Sequence, residues 1–208
     1  MLTFLLIVIF LGVFGTTMTD TLWGNTLRLI NLIFSATIAS SLSEPVAKLM
    51  ESLMLKGYFF YNFVAIWFVF LVAYAFFRFT TQQLSKVNVK FHSLANVYGG
   101  KVMAAIVAAV FVSFLTFSMH QAPLYKNFLG FNHKDRLCLG LAPDRQWHDY
   151  MVWVSSGVYN VDENSSFDPK NTYAERYSRF RAMLELYANE KNALGVANYS
   201  DKYAPKRP

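Results

Sequence analysis

The 208-residue sequence has a single cysteine, Cys138, and very little charge ahead of Lys126. One cysteine excludes an internal disulfide and a multi-cysteine metal site. Before Lys126 there are seven basic and three acidic residues; from Lys126 onward there are twelve and ten. No acid lies inside the third or fourth apolar run, which argues against a proton relay, because pumps place ionisable groups within the membrane. The histidines, His92, His120, His133 and His148, are scattered and lack helical ligand spacing with a carboxylate, so they read as solvated or interfacial side chains. His120, at the end of the fourth run, is the one that merits inspection. "YGGK" has two glycines but none of the remaining spacing of a phosphate-binding loop. No nucleophile, base and acid cluster. The sequence therefore predicts no enzyme, no cofactor and no metal. The net charge of +6 sits in loops beside apolar runs. Such charges set membrane orientation or meet anionic headgroups, so nucleic acid is not an expected partner.

What is present is oil. Hydrophobic residues make up 54% of the chain, with 20 Phe and 12 Tyr, and they are concentrated in the first half. The stretch 57–77 carries no charge for 21 residues, and a helix needs about 20 to cross ~30 Å of hydrocarbon. The expectation is an all-α integral membrane protein with about four transmembrane helices and a short helical polar tail. The membrane domain is expected over 1–122, with spans at about 1–19, 25–43, 57–78 and 98–121. Residues 1–19 lack a basic start and an A-x-A site, so they read as an uncleaved first helix and not as a signal peptide. In the third run, Tyr58 and Tyr61 fit an interfacial belt, whereas Trp67 sits mid-run and should pack on a helix or lipid.

Small residues mark where helices come close. Gly100, Ala104 and Ala108 recur every four residues beside Gly99, and Ser35 and Ala39 do the same in the second run; such rows admit a neighbouring backbone. The second run is weakly apolar, so it either packs inside a bundle, lies partly in the interface, or is merely short on hydrophobicity. Arg28, Asn31 and Arg78 form a candidate polar membrane site. Ser35, Thr37, Ser40 and Ser41 could line a small pore if several copies assemble. Arg78, Lys86, Lys90 and Lys101 lie between the third and fourth runs with no acid, which places that connector in the cytoplasm and both termini in the periplasm.

The polar tail, 123–208, is not filler. Trp147, Met151 and Val154 fall at i, i+4, i+7, predicting a helix at about 143–157. Asp168 before Pro169 is a helix start, and the spacing of Tyr173, Tyr177, Phe180, Leu184 and Tyr187 predicts a helix at about 168–190. That helix docks on the Trp147 helix, the membrane surface or a partner.

The layout has a short first span, a weak second helix ending "SEPVAKLM" and an aromatic third span with Tyr74 and Arg78 near its end. A basic connector and "VYGGKVMAAIVAAVFVSFLTF" follow. It resembles the colicin V production protein family (CvpA-like), small proteins of the bacterial inner membrane, over about residues 1–122. The tail "APDRQW…FDPKNTYAERYSRFRAMLE" is similar to the extension of longer, planctomycete-type members. The resemblance implies a link to production or export of a peptide toxin and to envelope integrity, with no catalytic residues to carry over. The expected role is accessory, through helix packing and docking. The expected partners are the lipid bilayer and either further copies of the chain or another membrane protein; the alternative is a subunit of an oligomeric small channel or transporter.

Overall fold

The structure, a computed structural model, describes residues 1–53, 61–85, 92–122 and 140–156, with residues 167, 168 and 173. Helix α1 spans Leu2–Thr17, α2 Leu22–Leu53, α3 Tyr61–Leu84, α4 Ser93–Met119 and α5 Pro143–Ser156. The chain is an all-α membrane protein: α2, α3 and α4 are long and apolar enough to cross a bilayer, and α1 is a shorter apolar helix. With 16 residues, α1 is about 24 Å long, less than the ~30 Å of hydrocarbon. It still runs antiparallel to α4 over most of its length. Leu2 and Leu6 pack with Val112, Leu115 and Met119 at one end. At the other, Asn25 Nδ2 donates to the carbonyls of Thr17 and Gly100, 3.0 Å each.

Helix α2 is the centre of the bundle, with α3 along one side and α4 along another, and α1 lies outside α4. It is longer than the charge-sparse stretch 25–43 at both ends. Thr21 caps its start by accepting from the Gly24 N–H at 3.1 Å, and the free Leu22 N–H donates to Asn96 Oδ1 of α4 at 3.0 Å. Pro45 sits inside the helix and removes one backbone bond to Ser41. The helix continues because Ala47, just beyond, is buried in a cluster with Tyr61 and Ala65. Tyr61 is therefore a core residue and not a member of an exposed interfacial belt.

Hydroxyls on the helices find partners locally. Ser35 donates to the Asn31 carbonyl, Ser40 to Ala36 and Thr116 to Val112, so these polar groups are satisfied among apolar neighbours. The aromatic core runs from α3 through α4 into the tail. Phe70 stacks on Phe114 at 4.8 Å, Phe114 meets Trp147 edge-on at 5.8 Å, and Phe117 stacks on Tyr173 at 4.4 Å. Trp67 sits edge-on to Phe70, Phe111 and Phe114, so it packs against helices as its mid-run position predicts.

The outward faces of α1 and α3 remain apolar and uncovered: Phe4, Leu11, Phe68, Leu71, Phe76 and Phe79 are all exposed. In water such a surface would aggregate; in lipid it is in its proper solvent. Tyr58, Lys86, Lys90, His133, Cys138 and the predicted 168–190 helix, except Asp168 and Tyr173, lie outside the described residues.

Candidate functional site

At the end of the bundle where α1 turns into α2, the chain passes directly over Gly100. A Cβ there would lie 2.9 Å from the Asp20 carbonyl oxygen and 3.4 Å from the Leu22 nitrogen. Gly99 differs, because its Cβ would meet only the Leu22 side chain, at 3.2 Å. That side chain can move by a few tenths of an ångström. Gly99→Ala is therefore expected to leave the thermal midpoint in detergent unchanged within about 0.5 kcal/mol of stability, measured by heating and size exclusion. Ala104 and Ala108 on α4 are fully buried, as are Ser35 and Ala39 on α2. The small-residue rows thus lie in the interior of a single chain. Ala105 and Ala109, also four residues apart on α4, are not buried.

Two of the three residues expected to form a polar membrane site share a cleft. It has a volume of about 420 Å³ and is lined by residues of α1, α2, α3 and α4, of which Leu71 and Arg78 on α3 are exposed. Its polar end holds Thr16 and Thr17, with Arg28 and Arg78; its apolar part is lined by Phe70, Leu71, Val107 and Phe111. Arg28 forms an ion pair with Asp20, in the α1–α2 turn. Arg78 is exposed and has no ion-pair partner among the described residues. The third residue, Asn31, does not line the cleft. It is buried, and its Nδ2 donates to Thr81 Oγ1 at 2.9 Å, pinning α2 to α3.

At the opposite end a buried polar seam ties α5 to the bundle. His120 Nε2 lies 2.9 Å from Asp144 Oδ2, and both side chains are 5% exposed. His148 Nε2 lies 3.2 Å from Asp168 Oδ2, which also accepts the Tyr173 N–H at 2.6 Å. Gln121 Nε2 donates to the Tyr173 hydroxyl at 2.8 Å, and Trp147 Nε1 donates to Ser40 Oγ at 3.1 Å. His120 is thus buried and paired, and His148 is partly buried and paired, which corrects their reading as solvated or interfacial. Sequence reasoning missed Asp144 and Gln121, and it placed Tyr173 only on the apolar face of a predicted helix. His120 and Asp144 stand 24 positions apart, a separation with no helical meaning. For Asp144 the local signal was its place directly after Pro143, which fits a first helical position and puts the acid in the first turn of α5.

The hydroxyls considered for a pore are distributed by the same packing. Ser35 and Ser40 are buried in the chain, Thr37 Oγ1 lies 3.5 Å from the Tyr150 hydroxyl, and only Ser41 of the four is exposed.

Residues 2–133 match the family described as Colicin V production protein, over more than half of the sequence. The chain belongs to that family. The match ends beyond α4, so it takes in all four apolar helices and stops short of α5. No curated protein and no solved structure matches the chain. As a member of the colicin V production family, it is a multi-pass membrane protein.

Proposed function

We propose that the protein is a non-enzymatic subunit of the bacterial inner membrane, with both termini periplasmic. Its role is accessory, in toxin production or export or in envelope maintenance, and it acts by docking another membrane protein or a second copy of itself. One observation carries the reading: the Gly100–Ala104–Ala108 and Ser35–Ala39 rows are buried inside the chain, so the surface left for a partner consists of exposed apolar side chains, among them Phe4 and Leu11 on α1 and Phe68 and Phe76 on α3. Family membership supports the setting in toxin production. The pore reading gains no support from the hydroxyl row, which lies mostly within the chain.

The test is complementation of a strain lacking the protein, read as peptide-toxin secretion and as tolerance to detergent stress. Phe68→Ala with Phe76→Ala removes two exposed rings from α3 and leaves the core intact. Expected is a protein of normal abundance and melting behaviour that restores less than about a tenth of wild-type secretion or tolerance, as loss of about 1.4 kcal/mol of docking free energy implies. Full restoration by this variant, and by its counterpart on α1, Phe4→Ala with Leu11→Ala, would remove the docking surface from the account.

A further inference from the structure

We infer that the cleft is a binding site for one anionic phospholipid, whose phosphate is held by Arg28 and Arg78 and whose acyl chain lies along Phe70, Leu71 and Phe111. The inference rests on the membrane reading and goes beyond it by naming the ligand class.

The two arginines stand at one level. Arg28 is six residues past the start of α2 and Arg78 six before the end of α3. At about 1.5 Å per residue, both lie about 9 Å inside the same end of the bundle. That is where a long side chain reaches the headgroup layer while its stem stays in hydrocarbon. Below them the cleft runs for two turns of α3, from Arg78 through Tyr74 to Phe70. A polar mouth above an apolar slot is the shape of an amphiphile.

Charge selects the sign of the headgroup. The mouth carries two guanidinium groups and one nearby carboxylate, Asp20, which is already paired with Arg28. That pairing fixes Arg28 in place and leaves several of its five N–H donors free. Arg78 has no ion-pair partner among the described residues, and a charge at the edge of the hydrocarbon is costly when unpaired. A phosphate between the two completes the pair with charge-assisted hydrogen bonds. The acid-free basic connector begins at this same end, which raises the local concentration of anionic lipid. The cleft is accessible from the bilayer, because Leu71, which lines it, is 60% exposed. Its volume of about 420 Å³ falls within the range of small-molecule sites, ~300–1,000 Å³.

The experiment is native mass spectrometry of the full chain released from detergent, with phosphatidylglycerol, phosphatidylethanolamine or inorganic phosphate added. Expected is one phosphatidylglycerol retained per chain, about tenfold more tightly than phosphatidylethanolamine, with inorganic phosphate unable to displace it. Arg78→Gln, at an exposed position, should lower phosphatidylglycerol retention about tenfold, to the phosphatidylethanolamine level. Leu71→Trp, which crowds the apolar half without touching charge, should lower retention of the same lipid. Equal retention of both lipids, no change in Arg78→Gln, or displacement by free phosphate overturns the inference. A chain that requires detergent yet prefers no lipid sinks this site alone. A chain that stays monodisperse without detergent sinks the membrane reading with it.

Discussion

Gly100→Leu is expected to prevent correct assembly of the bundle, and Gly100→Ala to lower its stability by about 1–3 kcal/mol. Two effects compete at this position. Replacing a helical glycine by alanine ordinarily gains up to ~1 kcal/mol through helix propensity. Here the added carbon meets the Asp20 carbonyl oxygen at 2.9 Å, a backbone atom that cannot rotate away. Relief requires moving the α1–α2 turn, which is tied down by Asn25, bonded to both Thr17 and Gly100, and by Asn96, bonded to the Leu22 N–H. Overpacking therefore outweighs propensity. Heating in detergent with size exclusion should show the midpoint of Gly100→Ala reduced by about 2–4 °C for each kcal/mol. The controls are Gly12→Ala and Gly15→Ala on α1, where nothing lies within 4 Å of the added carbon. Those should hold or raise the midpoint. If Gly100→Ala behaves as they do, the turn does not rest on α4.

The second large effect is expected from Trp147→Ala. Trp147 is 4% exposed, its ring lies against Phe114 and Tyr150, and its Nε1 donates to Ser40. Deleting a buried Trp costs about 3–5 kcal/mol. Ser40 keeps its bond to the Ala36 carbonyl, so the loss concentrates on the seam between α5 and the bundle. Hydrogen exchange should then speed up in α5 by about a hundredfold or more while α2 and α4 change little. Trp153→Ala, six residues on and 71% exposed, should leave exchange unchanged. Equal protection of α5 in the two variants would mean that the tail helix is held by something other than this ring.

The apolar runs could be found in the sequence because crossing lipid demands a length that few other structures need. The course of α2 could not. Glu44 and Pro45 look like a stop, yet burial of Ala47 against Tyr61 and Ala65 carries the helix to Leu53. Gly100 announces itself as a place of close approach, but periodicity cannot say which backbone approaches; it is the chain's own α1–α2 turn. Arg28 and Arg78 were visible as charges near the ends of apolar runs, and only the packing of four helices brings them to one cleft. The His120–Asp144 and His148–Asp168 pairs join residues 24 and 20 positions apart, and no local spacing rule reaches that far.

The central claim is that α1 and α3 turn their bare faces to lipid while the small-residue rows close the interior. Nitroxide collision accessibility in lipid vesicles that hold a single copy of the chain and no partner tests it most directly, with Cys138→Ser as background and single labels at Leu11, Phe68, Phe76 and Ala108. The account predicts that labels at Leu11, Phe68 and Phe76 collide freely with oxygen and hardly at all with a water-soluble nickel chelate, whereas the label at Ala108 is shielded from both. Ready collision of the Phe68 and Phe76 labels with the nickel chelate, or shielding of all three outer labels from oxygen, would contradict it.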